Sequence, residues 1–246
     1  MTPEMISNLA HTRHPIKSPL GDASVRQLLD RVLPRDGGRV LDLGCGTAEW
    51  LLRALETRPG LRAVGVDLSE KSLEIARAAA EARGVADRLE LHCQKAEEYT
   101  SPEPFDAVLS VGSAHAFGGL LPTLEGARAR LAPTGSVLIG DGYWLSEPTA
   151  EAVEVLGEFT DLASTVDRVV GEGWVPVYGH ASTRQELDHY EWSLWGTLAE
   201  WALDHPGHED GAEVLDWSHA RRDEWLHAYR DSFGFLTLVL RRTPAL

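Results

Sequence analysis

The chain has 246 residues, with 38 Asp and Glu against 23 Lys and Arg and a formal charge of −15. That length suits one α/β domain with an appendage. The acidity, with lysine only at Lys17, Lys71 and Lys95 and no basic run, opposes sequence-independent binding to a phosphate backbone, so nucleic acid is not an expected partner. No apolar stretch approaches the roughly 20 residues needed to cross a bilayer. Met1 to Pro15 lacks the basic region and apolar core of a secretion signal. These features lead us to expect a cytoplasmic protein with no membrane partner. Cys45 and Cys93 form neither a disulfide framework nor a metal spacing, and both are expected as small buried hydrophobes.

Residues 1 to 20 are polar and broken by Pro3, Pro15 and Pro19, which argues against a lone strand or a long helix and suggests a cover over a site. Asp22 or Ser24 can cap a helix to about Leu33, with Val25, Leu28, Leu29 and Val32 on one face. Strands and helices then alternate: strand 39–43, helix 48–58, strand 62–67, helix 70–83 closed by Gly84, strand 88–93, strand 105–111, helix 119–131 and strand 136–142. Such alternation predicts a doubly wound, mostly parallel sheet with helices on both faces. Beyond Asp141 the pattern is helical over 149–163, strand-like at 174–178, helical over about 183–204 and 210–231, and closes in a strand over 233–241. The expected organisation is an N-terminal helical cover over 1–36 and one domain over 37–246, with a helical insertion at about 149–231.

The most informative stretch is Val40-Leu41-Asp42-Leu43-Gly44-Cys45-Gly46-Thr47-Ala48-Glu49-Trp50, an apolar run ending in an acid and a glycine-spaced turn that enters a helix. This is the sequence form of a nucleotide-binding β-turn-α corner. Bare backbone at Gly44 and Gly46 permits both a sharp turn and close approach of a ligand. Glu49 stands where a dinucleotide fingerprint would have glycine or alanine, which disfavours a NAD-dependent oxidoreductase. A second acid, Asp67, closes the strand Leu61 to Asp67 at about the distance where an acid accepts both hydroxyls of a ribose.

Asp42-Leu43-Gly44-Cys45-Gly46-Thr47 together with Val64-Gly65-Val66-Asp67-Leu68-Ser69 resembles the first two motifs of the class I, seven-stranded, Rossmann-like S-adenosylmethionine-dependent methyltransferases. The resemblance is specific over about 38–142 and architectural beyond. It implies S-adenosylmethionine as cofactor and a seven-stranded sheet whose last strand is antiparallel. Residues 174–180 and 233–241 would form the final pair. Cofactor contacts are implied for Asp42, Gly44, Cys45, Gly46, Asp67, Leu68, Lys95, Ala96, Glu97 and Val111. Ala48 occupies the place of a common third glycine. Lys95 occupies the place of the acid that usually binds the adenine amino group, which shifts that role to the backbone of Lys95 and Ala96 or to Glu97, because lysine cannot accept a hydrogen bond.

His115, in the small-residue loop after the fourth strand, faces the methyl group's destination in this reading and could orient or deprotonate an acceptor. Asp141, Tyr143 and Trp144 are the other acceptor-side candidates, the aromatic pair by stacking or cation–π attraction. Trp192 and Trp195 share a helical face and are expected in the core. Glu186, Asp188, Glu191 and Glu200 are expected on a solvated face. The pairs His11/His14 and His205/His208 lack a third ligand, so no metal is expected. The expected function is methyl transfer to a small-molecule acceptor, with the O, N, C or S nucleophile open, in the manner of bacterial biosynthetic enzymes. The alternatives are a non-methylating S-adenosylmethionine-dependent enzyme and a non-catalytic cofactor-binding subunit. Either a monomer or a homodimer is compatible with the sequence.

Overall fold

A computed structural model describes residues 1–243. In chain order the elements are α1 (Pro3–Ala10), α2 (Asp22–Val32), β1 (Gly38–Leu43), α3 (Glu49–Thr57), β2 (Leu61–Asp67), α4 (Glu70–Ala82), β3 (Leu89–Cys93), β4 (Phe105–Val111), α5 (Leu120–Arg130), β5 (Leu131–Trp144), α6 (Ala150–Leu156), α7 (Leu162–Gly171), β6 (Trp174–Ala181), α8 (Arg184–Asp204), α9 (Gly211–Asp223), a π-helical turn (Glu224–Tyr229) and β7 (Phe233–Arg242).

The strands form one seven-stranded sheet in the order β3-β2-β1-β4-β5-β7-β6. Pairing is parallel from β3 through to β5. Along β7 the direction reverses: Leu145 N–H bonds Ser232 O at one end of the β5–β7 pair, whereas Arg242 reaches Leu131 O at the other. Ser182 N–H likewise bonds Phe235 O while Gly179 faces Leu238, so β7 is antiparallel to β6 as well.

The fold divides into two compact units. The larger comprises Asp22–Asp141, Ala163–His180 and the chain from Leu236, and holds most of the sheet. Val40, Leu41 and Leu43 of β1 are fully buried, as are Ala107, Val108 and Leu109 of β4, the near-continuous apolar pattern of strands covered on both faces. The predicted face of α2, Val25, Leu28, Leu29 and Val32, is the buried one. Cys93 departs from expectation. It is the last residue of the edge strand β3 and is exposed, with its Sγ 3.5 Å from Leu68 O.

The smaller unit comprises Met1–Gly21, Gly142–Leu162 and Ala181–Phe235. Its core joins Ile6 and Ala10 of α1 to Leu194 and Leu198 of α8 and Val214 of α9. Helix α8 starts with a capping box in which Thr183 Oγ1 accepts from Glu186 N–H and a Glu186 carboxylate oxygen accepts from Thr183 N–H. The helix predicted over 149–163 is two helices, since Gly157 takes φ +84° and ends α6. Trp195 is buried as expected, but Trp192 is 57% exposed, its ring 4.6 Å from that of Trp195 between centroids.

The solvated acidic face predicted for α8 holds at Glu200, which is exposed, and is corrected at Glu191. Asp188 pairs bidentately with Arg230 at 2.8 and 2.7 Å. Glu191 is buried and pairs bidentately with Arg221 of α9 at 2.6 and 2.7 Å. Glu191 shares a helical face with the buried Leu187, Leu194 and Leu198, so the apolar spacing carries it inside. Burial pushes its carboxyl up while Arg221 holds it down.

Two variants test these local arguments. Arg221→Leu leaves Glu191 buried without its cation, and chemical denaturation should show a loss of about 3 kcal/mol at pH 8. The loss should shrink toward pH 5, because removing the arginine raises the folded-state value further and the folded protein then gains the proton as pH falls. In the larger unit, wholly buried Ala48 has φ +59°, a left-handed conformation that strains any residue with a Cβ. Ala48→Gly should raise the thermal midpoint by about 2 °C, the strain released exceeding the entropy added to the unfolded chain.

Candidate functional site

In the larger unit the strand order reverses between β1 and β4, and a ligand in an open α/β sheet binds outside the carboxyl ends of the strands at such a point. The turn after β1 is tightly built there. Gly44 (φ +82°) and Gly46 (φ +53°) occupy left-handed backbone, and the N–H groups of Gly44 and Cys45 both donate to Val66 O of β2. A Cβ on Gly44 would lie 2.6 Å from Ser113 Cβ, so the side chain of Ser113 fills the space that glycine leaves. Ser113 Oγ bonds Leu43 O at 2.8 Å and shares a second 2.8 Å bond with Ser110 Oγ. This serine pair is not among the residues singled out from the sequence; its signal there is two small hydroxyl residues, three apart, at the end of a buried strand.

Asp67 ends β2 beside that turn. Its Oδ2 accepts from Gly46 N–H at 2.7 Å and its Oδ1 from Ser69 N–H at 2.9 Å, which fixes the carboxylate and leaves further lone pairs for a ligand. Leu68, the next residue, is 67% exposed, an apolar surface placed at the strand end. Ala96 is buried at the start of a short 3₁₀ turn, Lys95 lies 3.8 Å from Glu97 and 3.6 Å from Glu98, and Glu97 is exposed. Cys45 is buried and stands over Gly65, where a Cβ would come within 2.8 Å of its Sγ.

Asp42 is placed differently from Asp67. It is 2% exposed on β1 and no hydrogen-bond donor or cation among the described residues meets it. Burial, with a smaller contribution from the neighbouring Asp67, pushes its carboxyl up to about 8. Glu49 serves structure: buried at the start of α3, it binds Arg53 and Arg83, each at 2.7 Å.

Val111 ends β4 half-buried, and Gly112 (φ +72°) turns the chain with its N–H on Gly140 O. The exposed imidazole of His115 follows in a 3₁₀ turn, Ala114–Phe117, closed by Gly118 and Gly119 in positive φ with open space around both. Asp141 is half-buried at the end of the larger unit's part of β5. Tyr143 and Trp144 belong to the smaller unit, where both are buried. Trp144 packs edge-on with Phe159 and Phe233 at 5.5 and 6.3 Å, and Tyr143 lies against Gly234. The site residues named from the sequence in β1, β2, β4 and their turns therefore come together at one sheet edge, whereas the aromatic pair is held in a packed cluster.

Comparisons with known proteins agree with this architecture. Residues 34–198 match the model of a methyltransferase domain family. The chain is 26% identical to the uncharacterized protein YjhP of Escherichia coli K12 over 96% of its own length and 97% of that protein's. The X-ray structure of YjhP superposes with a TM-score of 0.85. A SAM-dependent methyltransferase from Geobacter sulfurreducens, crystallised with S-adenosyl-L-homocysteine, superposes with a TM-score of 0.87 at 26% identity, covering 97% of this chain and 98% of that one. The 27-O-demethylrifamycin SV methyltransferase of Amycolatopsis mediterranei is 28% identical over 91% of this chain and 76% of its own length. The chain thus belongs to the methyltransferase domain family and is a class I, S-adenosylmethionine-dependent methyltransferase.

Proposed function

We propose that the chain methylates a small-molecule acceptor, with a hydroxyl the first nucleophile to test, and that the sheet edge around Gly44, Asp67 and His115 carries the reaction. The arrangement of Asp67 supports this most directly: a carboxylate fixed by two backbone N–H groups keeps lone pairs for a diol beside a turn of bare backbone. The residues fit the cofactor's chemistry. Gly44, Cys45 and Gly46 present backbone to the methionine portion, with Asp42 and Val111 beside them. Asp67 takes the ribose. The exposed Leu68 and buried Ala96 flank the adenine, with Lys95 and Glu97 at its edge.

When bound, S-adenosylmethionine supplies a methyl group on a sulfonium that is already an excellent leaving group. The protein's task is then to align nucleophile, carbon and sulfur, and neither strong acid nor metal is required. His115 either orients the acceptor or takes its proton on an imidazole nitrogen as the new bond to carbon forms. Asp141 stands on the acceptor side. Tyr143 and Trp144, the aromatic candidates named from the sequence, are held rigid within the smaller unit by Phe159, Phe233 and Gly234. The relative named for methylating 27-O-demethylrifamycin SV supports a hydroxyl acceptor of the natural-product kind. The free thiols Cys45 and Cys93 support a reducing, cytoplasmic setting. Among the described residues no helix is long and apolar enough to cross a membrane.

Calorimetric titration and product assay test these roles separately. Asp67→Ala should weaken binding of S-adenosylmethionine and S-adenosylhomocysteine by about 10- to 100-fold for each lost charged hydrogen bond. His115→Ala should bind both normally and, in an assay of S-adenosylhomocysteine formation across hydroxyl acceptors, turn over about 100-fold more slowly. Full turnover by His115→Ala removes the base role, and unchanged binding by Asp67→Ala removes the ribose assignment.

A further inference from the structure

Helix α5 of the larger unit carries a glycine in its interior. Gly126 stands between Leu120 and Arg130, where glycine is a poor helix former because it loses the most backbone freedom and brings no side chain to pack. Its neighbour in the loop after β4 accounts for it. A Cβ on Gly126 would lie 2.6, 3.0 and 3.3 Å from three ring atoms of Phe117, so the ring occupies the notch that the glycine leaves. Phe117 ends the 3₁₀ turn Ala114–Phe117, two residues after His115.

The helix is the firm side of this contact. Wholly buried Thr123 has its Oγ1 2.7 Å from Gly119 O and 3.3 Å from Ala114 O, which ties the start of α5 to the loop. Beyond the notch, the Arg130 guanidinium donates to Gly126 O at 2.7 Å and to Glu97 O and Tyr99 O at 2.9 Å each. Gly126 is therefore anchored from both directions. The turn is softer, held by backbone bonds from Ala116 N–H to Ser113 O, Gly118 N–H to His115 O and Gly119 N–H to Ala114 O, and closed by two glycines in positive φ with open space around them. Among the described residues no hydrogen bond or ion pair fixes the exposed imidazole of His115, so the turn alone sets its position.

Resting on the role proposed above for His115, we propose that Phe117, seated on Gly126, is a positioning residue for methyl transfer, fixing the turn that presents the imidazole to the acceptor. The ring supplies the stiffness that the imidazole's own contacts do not. An aromatic side chain has few torsions to fix, and a close-packed seat leaves it no second position. The distances set the scale of the effect. An ordinary carbon contact is about 3.6 Å, so a Cβ at position 126, 2.6 Å from the ring, displaces Phe117 by about 1 Å. In a site whose main task is alignment, a misplacement of about 1 Å costs up to about 100-fold in rate.

Hydrogen exchange and turnover of the full chain test this. In Gly126→Ala, exchange of the amides of 114–119 should quicken about tenfold while that of 44–46 stays as in the wild type. Phe117→Ala, which empties the notch and leaves the helix untouched, should act in the same direction. S-adenosylhomocysteine formation with hydroxyl acceptors, 27-O-demethylrifamycin SV the first probe, should fall about tenfold in Gly126→Ala with calorimetric binding of S-adenosylmethionine unchanged. Adding Phe117→Leu, a smaller side chain, should restore both exchange and turnover. In the His115→Ala background Gly126→Ala should cost no further turnover, because the group it displaces is gone. Unchanged exchange in Gly126→Ala, an equal loss of turnover in both backgrounds, or a loss of cofactor affinity in step with turnover each overturns the proposal. Full turnover by His115→Ala alone is a distinct result that overturns the role of His115 itself.

Discussion

The contact between Gly44 and Ser113 is the constraint on which the rest of the site depends. No side chain fits at position 44, because Ser113 stands where its Cβ would be, and Ser113 is held there by Leu43 O and Ser110 Oγ. The end of β1 and the loop after β4 are thus locked together through one missing methyl group and one hydroxyl. On the other side of the turn, Val66 O accepts two backbone N–H groups and Asp67 accepts that of Gly46. Three strand ends are therefore tied into one rim, the rigid scaffold on which a site needing alignment more than acid–base power can be built.

Rigidity here is obtained at the cost of local strain. Four residues near the rim, Gly44, Gly46, Ala48 and Gly112, hold positive φ, and three of them are glycines that adopt it freely. Ala48 is the exception. Its methyl group is wholly buried, and its carbonyl accepts from Leu52 N–H as the helix begins. The turn is thus stabilised partly by the helix it launches, while Glu49, clamped between Arg53 and Arg83, ties the first turn of α3 to α4 and its end.

The larger unit was legible because its signals are local. Parallel strands buried on both faces read as apolar runs, and the glycine turn and the acid after β2 announce themselves by residue type. Beyond Asp141 the sequence was harder to read because the deciding contacts are between distant residues. Glu191 looks like a surface acid until Arg221, thirty positions on, is found beside it. Trp192 looks like a core residue until its ring is found more than half exposed beside Trp195. Ser113 escaped for the same reason: its partner Leu43 O lies 70 positions away. Composition and spacing specify what a segment prefers alone, and say little about which distant group completes it.

Two buried acids show how the same residue chemistry diverges with its partners. Glu191 has both carboxylate oxygens met by the Arg221 guanidinium and a nearby Tyr229 hydroxyl, so it is held as part of the packing between α8 and α9. Burial pushes both carboxyls up; at Glu191 the guanidinium opposes it, whereas at Asp42 the neighbouring Asp67 adds to it. The partner, and not the residue type, decides what a buried acid costs. A protein that needed only packing at Asp42 could use an apolar side chain at no such cost.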